Sequence, residues 1–201
     1  MKRRKPQSFR LASLIADLRR VTLSGGRAVF LMKEIKLTQG KVALVDDEDY
    51  PKLSKFTWYA QKSSTSTRYY ARRSYFLKSG RKVGRLMHRV ILGLRNPKIT
   101  VDHKDLNGLN NQRHNLRIAN GAQQIANAGM YKNNKSGFKG VCWSTQAKKW
   151  VATVTLGRNF FLGHFRDRKA AARAYDREAR KLFGEFARVN FPTEHEAGGV
   201  K

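Results

Sequence analysis

Between Val101 and Asn127 the chain reads VDHKDLNGLNNQRHNLRIANGAQQIAN. An adjacent aspartate and histidine, Asp102 and His103, are followed by Asn115 and then by the amides Gln124 and Asn127. A carboxylate beside an imidazole, with amide side chains a short hairpin away, has the parts for metal-assisted hydrolysis of a phosphodiester. Positioning them needs a compact frame. Ile99 to His103 reads as a strand and Asn115 to Ile118 as a second. The loop between them, Leu106 to Arg113, is rich in Asn and Gly, which tolerate left-handed backbone and brace turns with their own side chains. Asn120 can cap a helix beginning at Gly121, and Gly129 can end it. The expected unit is strand–loop–strand–helix.

Charge defines the partner. The 201 residues carry 42 Lys and Arg against 14 Asp and Glu, a net charge of +28. That excess points to a polyanion, and it extends over both halves of the chain. No apolar run approaches the length that spans a bilayer, and the basic start has no clear signal-peptide core, so the expectation is a cytoplasmic protein without a membrane partner. One cysteine, Cys142, excludes internal disulfides and a cysteine-rich structural zinc site.

The segments that flank this unit are expected as follows. Residues 1–31 read as a flexible basic extension. Ile35 and Leu37 alternate, Thr38-Gln39-Gly40 turns the chain, and Val42, Leu44 and Val45 return as a strand. The acids Asp46 to Asp49 are expected at the start of a short helix or turn, favoured by the helix dipole. Strands are expected over 56–60 and 69–71, with a basic turn at Lys78-Ser79-Gly80. Leu86 to Leu92 reads as a buried helix ended by Gly93, with His88 structural within it.

The run Asp102-His103, Asn110-Asn111, Asn115-Leu116-Arg117 resembles the HNH nuclease motif, in the subtype of phage and bacterial homing-type endonucleases. The likeness extends over residues 32–131, through KEIKLTQGKVALVDDEDY and Met87-His88-Arg89. It implies a ββα-metal finger in which His103 is the general base and Asp102 holds one divalent metal, magnesium being expected. It also implies that Asn115 fixes the two strands and orients the histidine. The last ligand of this subtype is usually Asn, and by spacing that position is Gln124 here. Gln carries the same carbonyl oxygen one methylene further out, and Asn127 stands one turn later on the same helical face.

After the polar stretch 132–135, expected as a linker, residues 136–192 read as three strands and a helix from Arg168 to Phe183. Asp167 caps that helix, Gly184 stops it, and Ala171, Ala174, Tyr175 and Leu182 form its stripe. Lys139-Gly140-Val141, Trp150-Val151-Ala152, Leu162-Gly163, the run Ala171 to Asp176 and Val189-Asn190-Phe191-Pro192 resemble the plant ethylene-response-factor (Apetala-two type) DNA-binding domain. The resemblance implies that the sheet enters the major groove. Its matching contact positions are Lys139, Cys142, Thr153, Thr155, Asn159 and Phe161. Arg158 and Lys148 are expected on phosphates. Residues 193–201 form a tail.

The expected architecture is α+β: small N-terminal sheets with the ββα-metal finger, then a three-stranded antiparallel sheet packed on one helix. The expected activity is a metal-dependent endonuclease acting on double-stranded DNA in a bacterial or phage-infected cell. Its linked modules would raise each other's local concentration at the target. The alternative is a sequence-specific transcriptional regulator with an inactive finger, motivated by Gln124.

Overall fold

The computed structural model describes residues 21–22, 28–29, 32–64 and 66–193, and they form a mixed α+β protein of small antiparallel sheets and helices. Within the expected extension, Val21–Thr22 (β1) and Ala28–Val29 (β2) pair antiparallel. The rest of that extension, and residues 194–201 of the expected tail, lie outside the described residues. Contacts divide the chain at Met32, and the second unit holds every element that positions the candidate site.

That unit opens with a hairpin of β3 (Met32–Lys36) and β4 (Val42–Asp46). Its turn takes the left-handed backbone at Gln39 and Gly40. The helix α1 (Tyr50–Leu53) is a single turn with Pro51 at its start. The strand expected over 56–60 begins later, because the Trp58 indole donates back to the Leu53 carbonyl (2.9 Å) and folds the chain over the helix end. The strands β5 (Tyr59–Lys62), β6 (Tyr69–Phe76) and β7 (Lys82–Leu86) then form a meander in that order. The helix α2 (Met87–Ile91) follows directly, and Gly93, in the left-handed region, ends it as expected.

The strands β8 (Val101–His103) and β9 (Leu116–Ile118) pair antiparallel, with Asp102 opposite Arg117 and His103 opposite Leu116. A 3-10 turn at Arg113–Asn115 leads into β9. The helix α3 (Gly121–Asn127) starts on a capping box: Asn120 accepts from the Gln123 amide, and the Gln123 side chain accepts from the Asn120 amide. It ends before the expected stop at Gly129.

The last sheet has the order β10 (Val141–Ser144), β11 (Lys149–Leu156), β12 (Arg158–Phe165) and packs on α4 (Arg168–Phe183). Asp167 caps α4 by accepting from Ala170 N (2.8 Å). Its buried stripe is Ala171, Ala174, Tyr175, Ala179 and Phe183, so the i, i+4 row from Ala171 ends on Phe183, and Leu182, expected in the stripe, is exposed. Gly140 serves that packing. A Cβ there would lie 2.1 Å from the Tyr175 ring, so only glycine lets the strand approach the helix this closely.

Two packing features tie the site to its frame. Ile35, Val45, Leu53, Trp58, Met87, Ile91 and Leu116 form one core cluster, so the lead-in sheets and the β8–β9 finger share a hydrophobic interior. The backbone of β4 continues that union: Leu44 N donates to Leu109 O and Asn111 N to Leu44 O (2.9 and 2.7 Å), which fixes the Asn-rich loop against β4.

The acid run stands in the turn that starts α1, as expected, and it has a further use. No side chain of it caps α1. Asp49, buried, instead takes Nε and a terminal nitrogen of Arg113, each at 2.7 Å, and Asp46 accepts from Arg113 N (2.7 Å) and Gln112 Nε2 (3.3 Å). The acids clamp the turn that precedes Asn115. The Arg113 head is partly exposed, which discounts the pair. Asp49→Ala leaves that fork without its acceptor and is expected to lower stability by about 1–3 kcal/mol in denaturant titration. Asp47→Ala, which removes an exposed pair with Lys33, is expected to leave the denaturant midpoint unchanged. Equal losses would show that the clamp carries no special weight.

Candidate functional site

The β8–β9 register places Asp102 and His103 side by side, both buried, at 8% and 5% exposure. Asn115 lies beneath the loop they bound. Its amide donates to Asp105 Oδ1 (2.9 Å) and Asn110 O (2.8 Å), and its oxygen accepts from Asp105 N (3.0 Å). Asn110 adds a bond to Asp105 Oδ2 (2.7 Å). Asn115 therefore holds the two ends of the finger loop together and touches neither Asp102 nor the His103 ring through any hydrogen bond among the described residues.

Asp102 is the most heavily partnered group. Its Oδ2 accepts from Arg117 Nε and NH2, each at 2.9 Å. Asn127 Nδ2 donates to both carboxylate oxygens and to His103 O, each at 3.0 Å. Asn127 thus reaches the centre directly. Gln124, half-buried one turn earlier, makes no side-chain hydrogen bond among the described residues.

His103 has the opposite character. Its Nε2 is buried and has no hydrogen-bond partner among the described residues. Burial lowers its basicity, and the Asn111 side chain with the Asp105 and Asp102 carboxylates offsets part of that. The imidazole is neutral at pH 7, with a free nitrogen able to accept a proton. Two rings that sequence reasoning left out flank it: His88, with centroids 5.1 Å away and an edge-on arrangement, and Tyr70 at 5.8 Å. The Tyr70 ring packs over Gly108, where a Cβ would fall 2.5 Å from that ring. The signal for His88 was its place in an apolar helix, which reads equally as core.

Among the described residues no group of three His, Cys, Asp or Glu side chains is set to hold a metal ion. The donor set is one carboxylate with neighbouring amides. That fits magnesium, which keeps several waters and takes one or two carboxylates plus substrate phosphate oxygens. Asp102 Oδ1 accepts a single hydrogen bond and retains a lone pair for this.

The C-terminal module closes the site from outside. Arg117, bound to Asp102, also donates to Glu185 O (2.7 Å), and its guanidinium lies 4.0 Å from the Phe186 ring centroid. Ala126 of α3 is buried in a cluster with Val154, Tyr175, Ala179 and Phe183. Lys139, expected at a DNA-facing surface, instead turns its ammonium to the end of α3, donating to the carbonyls of Ile125 (3.2 Å), Ala126 and Ala128 (2.7 Å). Ile125 O also accepts from Ala128 N (3.1 Å) and Ala126 O from Arg188 N (3.2 Å), so the lysine adds a charged donor at a helix end where carbonyls outnumber intrahelical donors. Burial and the Arg188 charge lower Lys139 to about 8. In and just after the polar stretch 132–135, Asn134 and Ser136 bond each other and the Phe138 carbonyl.

The remaining positions of the resemblance lie as follows. Thr153 pairs with Phe161 and Thr155 with Asn159 across β11 and β12, and Cys142 pairs with Val151 across β10 and β11. By strand alternation these side chains share the sheet face away from α4. Cys142, Thr155, Asn159 and Phe161 are exposed there. Thr155 Oγ1 lies 2.7 Å from Asn159 Oδ1. Arg158, the first residue of β12, has its guanidinium 4.8 Å from the Phe160 ring centroid, and Lys148 sits in the exposed turn before β11.

Comparison with known proteins yields three kinds of relative. An HNH endonuclease of Acanthamoeba polyphaga mimivirus, itself described as uncharacterised, is 32% identical over 153 residues, 76% of each chain. Protein 3.8 of Escherichia phage T7 is 36% identical over 88 residues, 44% of this chain and 73% of its own. Dehydration-responsive element-binding protein 2A of Oryza sativa is 40% identical over 70 residues in the C-terminal part, 33% of this chain and 25% of its own. No family model and no solved structure matches.

Two outcomes test this geometry. Lys139→Met removes the side-chain donor shared by the carbonyls at the end of α3, leaves Ile125 O and Ala126 O their backbone donors, and is expected to lower stability by about 1–2 kcal/mol in denaturant titration. A change under about 0.5 kcal/mol would mean the cap is dispensable. The second concerns His88, which burial, with the His103 and Arg89 charges, lowers to about 3. Below its ordinary value of 6.5 the unfolded chain takes up a proton that the folded protein refuses. Stability is therefore lost as pH falls from 6.5 towards 3, at about 1.4 kcal/mol per pH unit for one group. His103 shifts in the same direction. Between pH 6.5 and 4.5 the denaturant midpoint of His88→Phe is expected to fall less steeply than that of the parent, and identical slopes would refute the assignment.

Proposed function

The chain belongs to the HNH endonuclease family, and from that premise we propose that it is a metal-dependent endonuclease of the homing or mobile-element type, directed to double-stranded DNA by its C-terminal module. The observation that carries this reading is the pairing of a buried imidazole that has a free Nε2 with an adjacent buried carboxylate. His103 Nε2 takes the proton from the attacking water, a role suited to a neutral imidazole. Asp102 would hold magnesium, with the amides of Asn127 or Gln124 beside it. A magnesium ion bound there supplies charge stabilisation at the scissile phosphate and the leaving oxygen. Asn115 acts on the loop, holding Asp105 and Asn110 so that β8 and β9 keep their register.

Substrate delivery falls to the β10–β12 sheet. Cys142, Thr153, Thr155, Asn159 and Phe161 would face the bases of a groove wide enough for a sheet, and Lys148 and Arg158 the phosphates. No helix of the described residues is long and apolar enough to cross a membrane. The proposed setting is the cytoplasm of a bacterial or phage-infected cell.

One observation favours a second reading, a DNA-binding regulator with an inactive finger. Asp102 is already neutralised by Arg117 and covered by Asn127. Nicking of supercoiled plasmid separates the two. The parent is expected to nick with magnesium or manganese and not with chelator. His103→Ala is expected to lose roughly 10²- to 10⁴-fold. If the parent binds duplex DNA but neither protein cuts in any metal, the regulator reading prevails.

A further inference from the structure

A groove of about 600 Å³ lies on the lead-in part of the second unit, between α1, β6, β7 and α2. Lys52, Lys55, Arg73, Arg85, Arg89 and Arg95 line it, with Glu48 the one acid among its lining residues. Lys52, Lys55 and Arg95 are exposed and have no ion-pair partner among the described residues. Arg73 is held as a flat plate, its guanidinium 3.7 Å from the Phe56 ring centroid, and its Nε is buried with no acceptor among the described residues. None of these residues belongs to the finger or to the C-terminal sheet.

We propose that this groove is a second DNA-contact surface, which grips the phosphodiester backbone of the duplex that the finger cuts. It rests on the nuclease reading for the identity of the substrate and goes beyond it in assigning a binding role to the lead-in part. Its extended row of cations suits a run of phosphates better than a single anion. Its position suits the reaction: α2 carries Arg89 on the groove and, next to it, His88 against the His103 ring. Arg89 in turn donates to Ile99 O (2.5 Å) and Asn96 O (2.6 Å), the segment that leads into β8. A backbone held here sits one short helix from the proposed base. Such contacts carry no sequence information and fix orientation and register along the duplex.

The test is duplex binding by the full chain in chelator, where no cutting occurs, as a function of salt. The neutralised variant K52Q/K55Q/R95Q changes exposed side chains and is expected to keep the parent's melting temperature. It is expected to bind roughly 10- to 100-fold more weakly, equally on unrelated sequences, with a slope of log K against log salt smaller by about 2–3. Glu48→Gln is expected to tighten binding several-fold, a gain that misfolding cannot produce. Unchanged affinity and slope in the folded triple variant overturn the proposal. So does a groove that serves only small anions: inorganic phosphate would then raise the parent's melting temperature but not the variant's, while DNA binding stays equal. Plasmid nicking is scored separately, so a protein that grips but never cuts refutes the nuclease and spares the groove.

Discussion

A carboxylate buried beside a neutral imidazole is the constraint on which the rest of this structure depends. Desolvating an ionised Asp is costly unless it is paired and fully hydrogen-bonded. Asp102 meets that demand with one cation and one amide, Arg117 from the opposing strand and Asn127 from the helix. Neither partner is free-standing. Arg117 is held against Glu185 and Phe186 of the C-terminal module, and Asn127 occupies the last position of α3, whose terminal carbonyls accept from Lys139 and Arg188. The cost of burying one side chain in the finger is thus distributed over two modules.

The C-terminal module is itself locked by a second buried carboxylate. Asp176 accepts from the amides of Asn190 and Phe191 (both 2.8 Å) and from the Asn190 side chain (3.0 Å). Asn190 in turn receives Lys139 N on its oxygen (2.7 Å) and donates to Lys139 O (3.1 Å). The chain of contacts runs from the middle of α4, through the Val189–Phe191 segment, to the backbone of the residue whose ammonium caps α3. Because the groups in this series are buried or half-buried, loss of the Asp176 carboxylate leaves the Asn190 and Phe191 amides unpaired.

The local grammar of the sequence was legible. The caps at Asn120 and Asp167, the turns at Gly40 and Gly93, the β8–β9 unit and the three-stranded sheet on α4 lie where composition and spacing put them, because each rests on interactions within a few residues. What was missed is long-range. The pairs Asp49–Arg113 and Lys139 with the α3 carbonyls join residues far apart in sequence. Single-residue types could not reveal them: an acid before a helix reads as a dipole partner, and a lysine in a basic domain reads as a phosphate ligand. His88 is buried within α2 as expected, but its neighbour is not local. The apolar spacing of α2 buries it correctly, yet only the tertiary fold brings His103 against its ring. The end of α3 differed from the Gly129 stop because tertiary donors replaced the usual glycine cap.

This docking changes how the two modules cooperate. Modules joined by a flexible polar tether gain affinity through effective concentration, and the offset between the site read and the site cut then varies with the tether. Here Asn134, within residues 132–135, bonds Ser136 and the Phe138 carbonyl, Ala126 is buried in the cluster of Val154 and Phe183, and Arg188 N donates to Ala126 O (3.2 Å). A helix that ends inside its neighbour's core cannot pivot without breaking that core, and rigid elements hold functional groups more closely than loops do. Geometry therefore replaces tethering as the link between the sheet and the Asp102–His103 pair. Lengthening the connection at 132–135 would leave the shared core in place and so would not, on its own, release one module from the other.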